Sequence, residues 1–189
     1  MTTPTRPSNW TTDDWATPQP FVDHLARTFG RFHLDPCATK QTAKAPNVYT
    51  KQQDGLRRRW YGRVFLNPPY SDVAPWVQKA AESVQATGPC SLVVALLPPC
   101  IDTAWFHDWV LPFAELHFVR GRVSFLKGTE PGGSPRQPNL IAVYRRGGLR
   151  QDYTSMTFDA KWEPRIDVIA RHEIVPAPKN LRLKLPNLF

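Results

Sequence analysis

The sequence predicts an α/β fold with a mostly parallel sheet, flanked by helices and completed by antiparallel closing strands at an edge. Two observations support this fold class. Short apolar runs typical of strands alternate with amphipathic helical segments up to about residue 111. Beyond that point, strand-like runs follow one another with no helix between them. The chain has 189 residues, of which 41% are hydrophobic, so it is long enough to bury one core.

The first part of the chain is predicted to form one helix and two strands, each strand followed by proline. Apolar residues at i, i+4 and i+8 spacing predict a helix over residues 21–29, ended by Gly30. Residues 32–34 form a short strand candidate, whereas residues 37–54 are polar and predict no regular element. A second strand is expected over residues 63–66, where the following prolines stop it.

The elements predicted after residue 73 include the central strand of the sheet and its closing strands. A helix is expected over residues 73–85, and the continuous apolar run 91–97 is typical of a strand buried on both faces. Another helix is expected over residues 102–111. Residues 127–135 are too rich in Gly and Pro for a core element. The closing strands are expected over residues 115–119, 122–126 and 140–144.

Three regions are expected along the chain. Residues 1–14 are predicted to be a flexible N-terminus, residues 15–150 the main domain, and residues 151–189 a basic C-terminal extension. The sequence holds no apolar run long enough to cross a membrane, and its start lacks the apolar core of a signal peptide. The three widely spaced cysteines indicate reduced thiols. We therefore expect a cytoplasmic protein.

The charge favours an anionic partner. The net charge is +8, and residues 136–189 hold ten Lys and Arg against five Asp and Glu. Nucleic acid is the usual partner of such a protein, although a basic surface can also serve solubility alone. The cluster Arg57-Arg58-Arg59, beside Trp60 and Tyr61, fits phosphate contacts or an ordinary solvated face. The five histidines show no metal-ligand spacing, so no metal is expected.

The segment Asn67-Pro68-Pro69-Tyr70 carries the strongest chemical signal. It directly follows an apolar strand, at the end where open α/β sheets bind ligands. The Asn67 side-chain oxygen and the Pro68 carbonyl offer two acceptors for the two N–H groups of an exocyclic amine, and the consecutive prolines fix the backbone. Tyr70 offers a flat face for an extruded base. The alternative is a plain turn, since Asn-Pro is common in loops.

Several segments in order resemble phage-type DNA N6-adenine methyltransferases, the Dam-like family. Residues 64–71 (VFLNPPYS) are similar to the catalytic segment of that family, residues 34–38 (LDPCA) to its first cofactor motif, and residues 54–56 (DGL) before Trp60 to its third. The resemblance covers about residues 15–145. Further matches are residues 15–19 (WATPQ), 97–99 (LPP), 102–106 (DTAWF) and 121–125 (GRVSF).

The resemblance implies the class I S-adenosylmethionine-dependent methyltransferase fold and a site for double-stranded DNA with an adenine target. The catalytic residues that it implies, which would hold the target base, are Asn67, Pro68, Pro69 and Tyr70. It implies S-adenosylmethionine as cofactor and a host cytoplasm for a phage-encoded protein. The cofactor-binding residues that it implies are Thr17, Pro18, Asp35, Pro36, Cys37 and Asp54.

Local structural roles compete with some of these assignments. Thr17 fits a helix N-cap, Asp35 a strand-end cap, and Asp54 a turn before Gly55. The family's wider relatives place a glycine soon after the first motif, where Thr39 and Lys40 stand here. The alternative functions are methylation of an RNA base, methylation of a protein glutamine nitrogen, or an inactive DNA-binding relative. The recognition sequence and oligomeric state are not predicted.

Overall fold

The structure, a computed structural model, contains one large mixed sheet with helices on both faces. It describes residues 15–85, 87–127, 130–131, 138–147, 153–158 and 164–165. In that part of the chain, eight strands form the large sheet in the order β11-β10-β6-β9-β5-β4-β2-β3. These strands are β2 (Leu34–Asp35), β3 (Asn47–Val48), β4 (Gly62–Leu66), β5 (Cys90–Leu97), β6 (Ala114–Arg120), β9 (Leu140–Arg145), β10 (Tyr153–Phe158) and β11 (Pro164–Arg165).

The strand directions fit the predicted fold class, with one correction. The β2–β3, β2–β4, β4–β5 and β6–β10 pairs are parallel. Strand β9, however, runs antiparallel to both neighbours and lies between β5 and β6, not at the predicted edge. The described residues between β6 and β9 form no crossover helix, and the chain returns to the sheet in the opposite direction. The start of β9 therefore lies at the same edge of the sheet as the ends of β4 and β5.

The helices cover opposite faces of the sheet. Helix α1 (Gln19–Phe29) packs its apolar side with Phe65 and Val94, and helix α2 (Ala74–Gln85) packs with the alternate residues Val64 and Val93. This alternation along β4 and β5 is the period-two pattern of a sheet buried on both sides. Gly30 ends α1 with φ 85°, as predicted.

Three elements differ from the sequence prediction. The predicted helix 102–111 is present but shorter, over residues 104–110, and its last five residues, Phe106–Val110, are π-helical. Of the predicted strand 122–126, only Leu126 lies in a strand, β7 (Leu126–Lys127). Strand β3 lies in the region where no element was expected. Strands β3 and β7 have two residues each, too few for a periodic sequence signal to define their bounds.

A second, small antiparallel sheet joins the start of the described chain to its later part. Strand β1 (Trp15–Ala16) pairs with β7, which also pairs with β8 (Glu130–Pro131). The boundary predicted at residue 150 is not a boundary of the large sheet, because β10 and β11 belong to it. Residues 1–14 and 166–189, the predicted flexible start and most of the predicted extension, lie outside the described residues. Within the described ranges, no helix is both long and apolar enough to cross a membrane.

Candidate active site

Four segments of the chain meet at the carboxyl edge of the large sheet. Asp35 ends β2, Asn67 follows β4, Pro98 follows β5, and Asn139 immediately precedes the antiparallel β9. Their strands are neighbours in the sheet, in the order β9-β5-β4-β2. Ligands of open α/β sheets bind outside this edge. The predicted catalytic segment and the first predicted cofactor motif are therefore brought to one place by the strand order.

Asn67 carries an unsatisfied acceptor. Its side-chain Oδ1 is buried and has no hydrogen-bond partner among the described residues. Its backbone carbonyl accepts a hydrogen bond from the Cys37 thiol, with a distance of 3.2 Å between Sγ and O. That contact ties the predicted cofactor loop to the predicted target-base loop. An orphaned buried acceptor costs about 1–3 kcal/mol, so this oxygen is suited to a donor supplied by a ligand.

Tyr70 is held by groups from other parts of the chain. Its hydroxyl accepts a hydrogen bond from Asn139 Nδ2 at 2.8 Å. Its ring meets the Phe125 ring edge-on, with centroids 6.4 Å apart and an angle of 86° between the planes. Burial raises the pKa of Tyr70 well above its usual value, so its hydroxyl stays protonated at neutral pH. Tyr70 is thus a fixed neutral aromatic group.

Thr17 and Pro18 reach the core through the small sheet. The pairing of Ala16 with Leu126 places this segment beside Phe125, whose ring lies 5.9 Å from that of Trp15. Thr17 is buried, and its Oγ1 has no hydrogen-bond partner in the described part of the chain. Pro18 occupies the N-cap position of α1, which has no side-chain capping bond. The alternative in which Thr17 caps that helix is therefore wrong.

Asp35 stabilises its own loop. Its side chain is buried, and its two oxygens accept hydrogen bonds from the backbone N–H groups of Cys37 (3.4 Å) and Lys44 (3.0 Å). Burial raises the pKa of Asp35 to about 6, although these two hydrogen bonds oppose the shift. Pro36 is buried beside it. The predicted strand-end cap is thus present, whether or not Asp35 also faces a cofactor.

Asp54 begins a tight turn that packs on the Asp35 loop. It adopts φ 52°, and its Oδ1 accepts a hydrogen bond from the Leu56 N–H at 3.2 Å. Its side chain is 49% exposed and lies 3.8 Å from the Arg57 Nε. A Cβ on Gly55 would lie 1.9 Å from the Pro36 carbonyl oxygen, so only glycine permits this approach. The turn predicted for Asp54 is present and touches the predicted cofactor motif.

Two residues at this edge were not predicted from the sequence as site residues. Asn139 has no motif around it, and its position depends on the register of β9 beside β5 and β6. Phe125 belongs to a family-like segment, but its contacts with Tyr70 and Trp15 depend on the β1–β7 pairing. A cleft of about 490 Å³ is lined by residues of α1, among them Arg27, and by Arg31, Phe32 and Lys44. Asn67 and Tyr70 do not line this cleft.

The family of the chain follows from comparison with known sequences. The model of the family described as DNA N-6-adenine-methyltransferase (Dam) matches residues 5–164. The chain belongs to this family. The predicted family is thereby confirmed, and the chain is a methyltransferase.

Two curated relatives come from phages. A DNA N-6-adenine-methyltransferase of Haemophilus phage HP1 is 30% identical over 154 residues, covering 76% of this chain and 87% of the relative. A protein of the same name from Escherichia phage T1 is 28% identical over 134 residues, covering 61% of this chain and 55% of the relative. The chain thus spans most of the first relative and about half of the second.

Solved structures show only a distant similarity. The modification subunit of a putative type I restriction enzyme from Vibrio vulnificus has a TM-score of 0.45 at 11% identity, covering 76% of this chain and 47% of its own. The type I restriction-modification methyltransferase subunit from Streptococcus thermophilus has the same TM-score and identity, covering 82% and 50%. Similarity at this level adds no information on cofactor or substrate.

Proposed function

We propose that this family member transfers a methyl group from S-adenosylmethionine to N6 of adenine in DNA. Asn67 Oδ1 carries the proposal: it is a buried acceptor without a partner among the described residues, in a loop at the ligand-binding edge of the sheet. DNA N6-adenine methylation is also the activity that gives the family its name. The site and the family therefore point to the same reaction.

The proposed chemistry requires acceptors for the adenine amine. The lone pair of this nitrogen is delocalised into the ring, and hydrogen bonds accepted from both N–H groups return electron density to it. Asn67 Oδ1 and the Pro68 carbonyl are the two proposed acceptors. Pro68 and Pro69 restrict the backbone, while the Cys37 thiol fixes the carbonyl just before them. The acceptors are then preorganised before the base arrives.

The Tyr70 ring is proposed to stack on the flipped base. Extruding adenine from a duplex costs a few kcal/mol, which stacking and hydrogen bonds in the site must offset. The Phe125 and Asn139 contacts hold the ring in one orientation, so little side-chain entropy remains to be lost when the base binds. Pro69, as the residue between Pro68 and Tyr70, sets the direction in which the ring leaves the loop.

The residues around Asp35 are proposed to hold the cofactor. S-adenosylmethionine, when bound, supplies an electrophilic methyl group on a positively charged sulfur, next to an amino-acid end and an adenosine. Thr17 Oγ1, which has no partner among the described residues, fits a polar group of the amino-acid end, with Pro18 beside it. The Asp35-Pro36-Cys37 turn fits the methionine part, and the half-exposed Asp54 carboxylate fits the adenine amine. The donor and acceptor set of the chain suits this cofactor.

The proposed DNA contacts are electrostatic. Arg57, Arg58 and Arg59 are exposed in the segment that leads from the Asp54 turn into β4. This places three cations near the carboxyl-edge loops, where they can neutralise DNA phosphates. Because the two relatives are phage proteins, we expect the reaction to take place in the cytoplasm of the host cell.

A labelling experiment tests the proposal. The purified protein is incubated with methyl-labelled S-adenosylmethionine and, separately, with PCR-amplified double-stranded DNA, total RNA and a protein extract. Each product is digested, and the modified nucleosides and amino acids are identified by chromatography. We expect label only in N6-methyldeoxyadenosine, and none with the Asn67→Ala variant. Label in methylated RNA bases, in glutamine or in methylcytosine contradicts the proposal.

A further inference from the structure

Asn139 is a buried polar residue at the reactive edge of the sheet to which neither a sequence motif nor the family comparison assigns a role. Only 3% of its surface is exposed. It stands one residue before β9, whose first residue, Leu140, pairs with Leu97 on one side and Phe118 on the other. The Asn139 carbonyl also accepts the Val119 N–H at 3.4 Å. Its backbone is therefore fixed between two strands.

The side chain of Asn139 reaches Tyr70 across 69 positions of sequence. Its Nδ2 donates to the Tyr70 hydroxyl at 2.8 Å, whereas its Oδ1 is buried without a partner among the described residues. An apolar residue of similar size would fill this volume without leaving a buried acceptor unpaired, which costs about 1–3 kcal/mol. Packing alone therefore does not explain an asparagine here. The bond to Tyr70 does.

We propose that Asn139 is a positioning residue that fixes the Tyr70 ring for stacking of the target base. This inference rests on the proposed function, in which Tyr70 holds the flipped adenine. The edge-on contact with Phe125 restrains the ring, and the Asn139 bond restrains its hydroxyl end. With both contacts, the ring is held at two points, by the residue directly before β9 and by the residue directly before β7. A site held in this way keeps productive geometry more often than one held by its loop alone.

A double-mutant cycle tests this role. The four proteins are the wild type, Asn139→Ala, Tyr70→Phe and the double variant, and the measurements are the single-turnover methyl-transfer rate on unmethylated double-stranded DNA and the Kd for S-adenosylmethionine. Asn139→Ala is expected to lower the rate about three- to tenfold, the effect of losing one neutral hydrogen bond. The Kd is expected to change less than about twofold, because Asn139 acts on the base side. In the Tyr70→Phe background, Asn139→Ala is expected to have no further effect.

Asn47→Ala provides the matched control. Asn47 also makes one side-chain hydrogen bond, from Nδ2 to the His33 carbonyl at 2.9 Å, but it lies on the edge strand β3, at the end of the sheet away from β9. It is expected to transfer methyl groups at the wild-type rate. If Asn139→Ala lowers the rate equally with and without the Tyr70 hydroxyl, or weakens cofactor binding as much as it slows transfer, Asn139 is only a structural residue.

A spectroscopic measurement keeps this test independent of the reaction. In protein labelled with ¹³C at the tyrosine ring carbon that bears the hydroxyl, the Tyr70 signal is the one missing from Tyr70→Phe. Asn139→Ala is expected to shift that signal and to leave those of the other tyrosines in place. An unshifted signal overturns the positioning role. A wild type that methylates no DNA adenine overturns the proposed function instead, even when the signal shifts.

Discussion

The loop after β2 and the loop after β4 lie side by side, but their polar side chains find partners in different ways. In the β2 loop, both oxygens of Asp35 bond to backbone groups within nine positions of it. In the β4 loop, Tyr70 bonds to a residue 69 positions away, and Asn67 Oδ1 has no partner among the described residues. The Asp35 oxygens thus find their hydrogen-bond partners close by in the sequence, whereas the polar groups of the β4 loop do not.

This difference suggests different roles for the two loops: the β2 loop is stabilised by its own hydrogen bonds, whereas the β4 loop offers an acceptor to a ligand. A carboxylate that accepts hydrogen bonds from backbone N–H groups of its own loop fixes the conformation of that loop, as in an Asx turn. A buried acceptor without a partner is unfavourable in the free protein and becomes favourable when a ligand donates to it. We therefore expect substitutions in the β4 loop to affect methyl transfer, and substitutions in the β2 loop and the Asp54 turn to affect stability and cofactor affinity.

The largest effect is expected from Asn67→Ala. Removing the unpartnered Oδ1 takes one acceptor from the target amine, and we expect the transfer rate to fall about a thousandfold, as for the loss of a preorganised polar group. S-adenosylmethionine binding, measured by calorimetry on the same preparation, is expected to change less than about threefold. Asn47→Ala serves as the control. Near-normal turnover in Asn67→Ala contradicts the assignment of Asn67.

The position of this loop after a buried strand could be predicted from the sequence because its signal is local. A buried strand followed by Asn67 and two prolines defines a strand end, a backbone direction and an acceptor without knowledge of the rest of the chain. The same holds for helices α1 and α2, whose apolar periodicity spans at least two turns. The longer regular elements and the position of the Asn67 loop could therefore be predicted.

What could not be predicted depends on distant partners. Asn139 meets Tyr70 only because β9 enters the sheet antiparallel between β5 and β6, and no sequence pattern specifies that insertion. Strands β3 and β7 have two residues each, too few to show a period. Asp54 was predicted as a cofactor contact or a turn residue, and neither prediction indicated that its side chain would be half exposed. Exposure of a turn carboxylate depends on tertiary packing and cannot be read from sequence.

The second-largest effect is expected at Asp35, as a change in stability with pH. Its pKa is raised by burial from 3.8 to about 6, so between these values the folded protein keeps a proton that the unfolded chain has released. The stability contributed by this group therefore falls as the pH rises from about 4 to about 6, by about 3 kcal/mol in total. In Asp35→Asn this contribution is missing, because asparagine does not ionise.

Urea unfolding of the wild type and Asp35→Asn at several pH values tests whether stability falls as the pH rises. The free energy of unfolding of the wild type, relative to that of Asp35→Asn, is expected to decrease between about pH 4 and about pH 6 and to level off above that range. Asp23→Asn is a suitable control, since Asp23 is an exposed residue of α1 that bonds to Gln19 at 2.8 Å. A constant difference between the wild type and Asp35→Asn over this range means that the Asp35 carboxyl is not desolvated in solution.

A smaller effect is expected from the arginines beside the Asp54 turn. If Arg57 and Arg59 each neutralise a DNA phosphate, replacing both with alanine reduces the slope of log affinity against log salt by up to about two. The control is the double variant Arg27→Ala/Arg31→Ala, which removes two exposed arginines from the cleft against α1. Affinity for a long unmethylated duplex is measured at several salt concentrations. Equal slopes for both double variants indicate that Arg57 and Arg59 lie on a solvated face away from DNA.

The smallest effect is expected at Asp54, in the turn that packs on the β2 loop. Here a structural role and a cofactor-binding role can be separated by two substitutions of the same residue. Asparagine tolerates φ 52° and can still accept the Leu56 N–H, so Asp54→Asn is expected to change the stability by less than about 0.5 kcal/mol. Alanine keeps neither property and is expected to lower the stability by about 1–3 kcal/mol. If the carboxylate also binds the cofactor adenine, Asp54→Asn raises the Kd for S-adenosylmethionine about three- to tenfold, measured by calorimetry. Wild-type affinity in Asp54→Asn, together with lost stability in Asp54→Ala, leaves Asp54 as a turn residue. The cofactor adenine would then be held by other groups.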